Sequence, residues 1–331
     1  MTFTLRAAPA AAFSFAAAMA LLAAGPAPAQ ERANGAIQGH NVFGQAVSPD
    51  EVKVVHGSEF KGARKVAISV FDVAFPGENH FTANTRAHGM LGSARASLST
   101  TMTGVDQATQ QRITDRAYAL FVAQLTAAGY EVVDQRELAR LAPEFGTWAS
   151  LPNFSQGRFG AYVAPTGQSL RLLQGDGAKR DTSGMFGQQG AAFRVLDRPL
   201  AFARSPYIAN AGDIGVIAVT LVVDYGVYSS SGESNRRRDA QTGFDLGVTV
   251  AAGDVSDHGS LLEYWGPKSG GFPALALLQQ PIRSERAFAT MSSVGAVDGA
   301  VVADAAKFEA AAGEVIGIAV PKLVSVMAAA R

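Results

Sequence analysis

The spacing of apolar residues switches between two periods along this chain, and each switch marks an element. Lys65-Val66-Ala67-Ile68-Ser69-Val70-Phe71-Asp72 is a β-branched run, which predicts a strand covered on both faces. Beyond a long connection, Ile113, Ala117, Leu120, Phe121, Leu125 and Ala128 recur at helical spacing. Asp106 is placed to cap the start of that helix and Gly129 to end it. Tyr130-Glu131-Val132-Val133-Asp134 then supplies a second short strand. A strand that returns through a helix to a parallel neighbour is a βαβ unit.

Alternation is strongest over residues 213–228, where Ile217, Val219, Leu221, Val223, Tyr225 and Val227 share one face. On the other face Val216, Ala218, Thr220 and Val222 give way to Asp224 and Gly226, so this strand is expected to end with one side in water. Phe244, Leu246, Val248 and Val250 alternate in turn, which predicts a long antiparallel hairpin. Further strands are predicted at Leu261 to Trp265 and at Arg283 to Met291, and a hairpin from residues 159–163 and 170–173. Residues 175–192 read as a loose Gly/Gln-rich loop, and 76–103 as an unusually long connection with a weak strand around 95–102. Val301, Ala305, Phe308, Ala312, Val315, Ala319, Leu323, Val326 and Ala330 step by four and three, predicting a closing helix that Pro321 kinks or divides. Lys307, Glu309, Glu314 and Lys322 argue against that helix spanning a membrane. Together these elements predict an α/β fold: a mixed β-sheet with an N-terminal βαβ unit, a long antiparallel hairpin and a C-terminal helix packed on the sheet.

Composition adds a compartment. Arg6, the apolar run from Ala10 to Ala24 and Ala27-Pro28-Ala29 form the pattern of an export signal over residues 1–29, cleaved near Ala29. The expected organisation is therefore a signal peptide (1–29), an extended N-terminal arm (30–63) and a single α/β domain (64–331), in the periplasm or secreted. Cysteine is absent, which removes disulfides, thiolate metal sites and a cysteine nucleophile from consideration. Lys+Arg and Asp+Glu both number 28, so no global field draws the chain to nucleic acid, and no stable membrane span is expected.

The search for chemistry leaves no catalytic, cofactor or metal site assigned. Gly266-Pro267-Lys268-Ser269 lacks the glycine before lysine that a phosphate loop needs, and the calcium-like stretch beginning at Asp254 has Trp265 where a bidentate glutamate belongs. Glu78, His80 and His88 lie in the long connection without the spacing of a metal site. Asp72, Asp134 and Asp224 read as strand-end residues that cap turns, or as the edge of a pocket. Arg236-Arg237-Arg238 in the hairpin connection is either a solvated loop or a dock for an acidic partner or lipid headgroups.

The succession Val66-Ala67-Ile68-Ser69-Val70-Phe71, a helix ending Phe121-Val122-Ala123-Gln124-Leu125, and Gly129-Tyr130-Glu131-Val132-Val133-Asp134-Gln135-Arg136-Glu137-Leu138 resembles the curli-assembly lipoprotein family and related TolB-N-terminal-like envelope domains. The later hairpin and the helix from Asp304-Ala305-Ala306 follow in that family's order over residues 64–331. The resemblance implies the fold and an envelope setting, with assembly or scaffolding as the activity. This chain departs from it in having no lipobox cysteine and no pair of membrane hairpins. The expectation is an exported, soluble, non-enzymatic protein working through other envelope proteins or self-association, without a cofactor. The alternatives are an outer-membrane secretion-pore subunit and a periplasmic hydrolase or ligand-binding protein with its pocket at the strand ends, near Asp72, His80 and Asp224.

Overall fold

A computed structural model of the chain describes residues 52–60, 64–84, 95–146, 149–151, 153–156, 160–172, 205, 208–231, 241–252, 260–267, 273–294 and 298–329. In chain order the elements are β1 (Val52–Val55), a 3-10 turn (Gly57–Phe60), β2 (Lys65–Pro76), β3 (Glu78–Asn84), β4 (Arg95–Thr103) and α1 (Gln107–Ala127). Next come β5 (Glu131–Val133), α2 (Gln135–Leu141), the helical turn α3 (Pro143–Gly146), β6 (Ala149–Leu151), β7 (Phe154–Gln156), β8 (Gly160–Val163) and β9 (Leu170–Leu172). The chain closes with β10 (Gly215–Ser231), β11 (Gln241–Val250), β12 (Leu261–Trp265), β13 (Ala274–Leu278), β14 (Ile282–Arg283), β15 (Ala289–Val294), β16 (Asp298–Ala303) and α4 (Ala305–Ala329).

Two long strands carry the main ten-stranded sheet, whose central order is β1-β13-β12-β10-β2-β8-β7. β2 and β10 run parallel, with Ile217 beside Ile68 and Thr220 beside Asp72. Each is long enough to serve two partners along one edge. β2 pairs β5 in parallel through Lys65–Ala67 and β8 through Val73–Pro76, while β10 pairs β12 through its first half and β11 through its second. The parallel pairing of β2 with β5 completes the expected βαβ unit, and the fold is α/β with a mixed sheet and a closing helix packed on it.

The odd-numbered residues of β10 (Ile217, Val219, Leu221, Val223, Tyr225) face α1 and α4 in one large core with Phe71, Phe121 and Phe308. Each such side chain removed from water contributes roughly 1.5–3 kcal/mol. Arg112 meets Glu309 near the starts of both helices, and Tyr130 Oη donates to Met327 O near their ends, so α1 and α4 lie side by side in the same direction. The opposite sheet face holds Ala67, Val216 and Trp265 under Leu138, Phe145 and Ile208, then Ala74 and Val222 beside Tyr162 and Leu170.

A second sheet, β15-β16-β4-β3, has β16 and β4 parallel at its centre. In each half of it a strand leads through an aspartate into a helix: β4 through Asp106 into α1, β16 through Asp304 into α4. Where β4 leaves for α1, Gly104 has φ +93°, and a Cβ there would sit 2.2 Å from Ala303 O of the neighbouring strand.

Several expectations need correcting. Residues 160–163 and 170–172 do not form a hairpin together; β8 pairs β7 and β2, and β9 pairs β6. Val301 belongs to β16, because strand and helix abut at Asp304 and the apolar stripe runs across both. The strand expected over 283–291 is two strands, β14 and β15, in different sheets. Within 30–63, Val52–Val55 joins the main sheet as its edge, antiparallel to β13. α4 runs through Pro321 as one 25-residue helix, so of the two outcomes expected at this proline, kink or division, the division does not occur. The helix has the length and apolarity of a membrane-crossing helix, and half of its most apolar stretch is buried inside the protein.

Candidate functional site

Strand alternation places Asp224 beyond Thr220 and Val222 on the face away from the helices, and the wet face expected at Asp224 and Gly226 is buried. β10 continues to Ser231, its register with β11 shifts between Asp224 and Gly226, and Asp224 is only 2 % exposed. What covers it is the second sheet. β2 bends at Gly77 into β3, which brings Asn79, fully buried, to Asp224, and the Asn79 Nδ2 donates to the Asp224 Oδ1 at 3.0 Å. The backbone N–H of Tyr225 donates to the same oxygen at 2.7 Å. Tyr225, turned to the helix side, donates its Oη to Thr100 O of β4 at 2.8 Å, and its ring meets Phe244 edge-on at 6.0 Å. One dipeptide of β10 thus holds two strands of the other sheet.

The electrostatics of this seam are unusual for a carboxylate. Burial pushes the Asp224 carboxyl up to about 7, against the hydrogen bonds from Tyr225, Asn79 and Gly226 that favour the anion. No cation is among the causes. The Asn79 Oδ1, also buried, has no hydrogen-bond donor among the described residues. The arrangement sets between two sheets a buried carboxyl that can gain or lose a proton near neutrality.

The other buried acids stand apart. Asp72 lies inside β2 opposite Thr220, four positions along β10 from Asp224, or roughly 13 Å at the rise of a strand. That exceeds the separation of a glycosidase carboxylate pair. Glu263 of β12 accepts from Trp265 Nε1 within the sheet. Glu309 is clasped by Arg112 and Arg116 at 2.8 Å each, tying α4 to α1.

Asp134 caps α2 by accepting from Glu137 N, as expected, whereas Asp72 and Asp224 sit within β2 and β10 and not at strand ends. The side chain of His80, and His88, Arg236, Arg237, Arg238 and residues 254–259 of the calcium-like stretch, lie outside the described residues, and the end of that stretch, up to Trp265, forms β12. Among the described residues no group of three His, Cys, Asp or Glu is placed to hold a metal ion. Sequence reasoning missed Asn79, Tyr225 and Thr100. The available signal was an aspartate ending a long apolar strand directly before an aromatic residue.

A different feature lies at the rim of the second sheet. Among the described residues, β15 is hydrogen-bonded on one side only, to β16. Its sequence, Ala-Thr-Met-Ser-Ser-Val, carries no charge and no proline, and Met291 is 44 % exposed.

Comparison with protein-family models, with curated proteins and with solved structures gives no match for this chain.

Proposed function

We propose that this chain is an exported protein of the cell envelope that acts without catalysis, in assembly or scaffolding, by pairing with further copies of itself. The export pattern of residues 1–29 supports the compartment, and the order of βαβ unit, long hairpin and closing helix supports the kinship with envelope-assembly domains.

The β15 edge carries the contact. Edge strands that stay solitary are blunted by charge, proline or bulges. β15 has the first two nowhere, and leaves a methionine half in water beside Gly299. Antiparallel pairing with a second β15 about a two-fold axis sets Ser292 opposite Ser292 of the other copy, with no like charges facing each other. Four strands then become eight across the pair.

Sedimentation of the exported chain tests this reading. A dimer that Ser292→Lys converts to monomer is the expected result. A wild-type chain that stays monomeric at every concentration, or a dimer indifferent to Ser292→Lys, overturns it. Release by osmotic shock without detergent is the expected fractionation behaviour, and a requirement for detergent overturns the soluble envelope assignment.

A further inference from the structure

We infer that Asp224 and Asn79 form a proton-linked clasp between the two sheets: the protonated carboxyl donates to the Asn79 Oδ1, and loss of that proton loosens β3 from β10.

The geometry requires a donor that the described residues do not supply. Asn79 is fully buried, its Nδ2 is committed to the Asp224 Oδ1 at 3.0 Å, and its Oδ1 has no donor. A buried acceptor left unsatisfied costs about 1–3 kcal/mol. The group facing Asn79 is a carboxyl, and a carboxylic acid meeting a primary amide forms two hydrogen bonds at once, N–H to carbonyl and O–H to carbonyl. An anion at Asp224 supplies only the first and leaves the Asn79 Oδ1 without a donor.

The surroundings favour the acid form. The carboxyl of Asp224 is raised to about 7 by burial. The charged and titratable groups on the described elements packed there do not offset this. On β3, Glu78 precedes Asn79, and the pleat sends it to the other face. On β11 the facing residue is Thr249, and Asp245 lies farther on, opposite Val227. Arg283 of β14, beside Thr249, is committed to Asp245 and Leu246 O. Asp72 of β2 is four positions away along β10 and is itself acidic. On β4 the contacts come from the uncharged Thr100.

The step balances simply. The proton on the Asp224 oxygen passes to solvent water when the seam opens, and returns when it closes. Opening therefore becomes more favourable as pH rises between the carboxyl's ordinary range and about 7, then levels off.

Hydrogen exchange of the β3 amides, corrected for the intrinsic pH dependence, reads this directly. The opening equilibrium is expected to rise roughly tenfold per pH unit from about 5 to 7 and to flatten above it. Asp224→Asn places a permanent N–H donor where the proton was, and its corrected exchange is expected to be flat. A flat wild-type profile, or an Asp224→Asn profile that tracks the wild type, overturns the inference. Carbon-detected titration of the wild-type Asp224 carboxyl needs no variant: a midpoint near neutrality supports the clasp, and a carboxylate already ionised at pH 5 sinks it.

Discussion

At the scale of single residues, the fold's most consequential group is Asp224, and its effect on stability has a definite sign. Its folded-state pKa lies above the unfolded value, so the native state binds more protons between about 4 and 7. Stability from this residue is full below the unfolded value and is lost as pH rises through about 7. A shift from 3.8 to about 7 corresponds to a loss of about 4 kcal/mol between acid and neutral pH. Asp106 and Asp304 act oppositely: hydrogen bonds from Thr109 to the first and from Lys307 to the second lower their carboxyls, so the caps weaken only in acid. Denaturation between pH 5 and 8 should show wild type losing stability on the order of 2–3 kcal/mol while Asp224→Asn stays level. Gly104 is the second position where one residue decides. Its left-handed φ and its approach to Ala303 O leave no room for a methyl group, and Gly104→Ala should destabilise by ~2 kcal/mol or more in urea unfolding.

Between elements, the fold repeats one device: a strand, an aspartate cap and a helix, laid down twice in parallel. Asp106 and Asp304 each accept the first free amides of their helix, and the two helices share a core through Phe121 and Phe308. Phe121 is fully buried against Phe71, ring centroids 5.6 Å apart, and Phe121→Ala should cost about 3–5 kcal/mol by chemical denaturation. Within α4, Pro321 has no amide to offer Gly317, four residues earlier, and its neighbours hold the helix together regardless. Pro321→Ala is expected to raise stability by roughly 1–3 kcal/mol, measured in the same unfolding series.

This is also the scale at which the sequence was readable in places and silent in others. The alternation of 217–227, the Asp106 cap, the Gly129 stop and the strand Leu261–Trp265 were legible because each depends on residues close together in the chain. The β3–β4 and β15–β16 pairs were not, since Met291 and Val302 are exposed along with Thr101, Thr103, Thr290 and Ser292, so no apolar-in, polar-out alternation marks these strands. The helical stripe absorbed Val301 because a strand and a helix joined by one residue can continue the same spacing for a step. Asp224 was placed in water for a nonlocal reason: what buries it arrives from β3, some 145 residues earlier.

For the molecule as a whole, two sheets and two parallel helices form one interlocked arrangement in which the main sheet supplies the core and the second sheet supplies the open edge. The closing segment is joined to both. β16 pairs with β4, beside Met102 and Thr103, and α4 packs along α1. Removing residues 298–331 should therefore abolish the cooperative unfolding transition, followed by circular dichroism, and not merely trim a terminus. The same stitching of Val301 to Met102 sets a timetable. A polypeptide made amino end first presents β4 long before the strand that completes it. In the interval a β-edge and the apolar face of α1 stand open, and only the last residues of the chain close them.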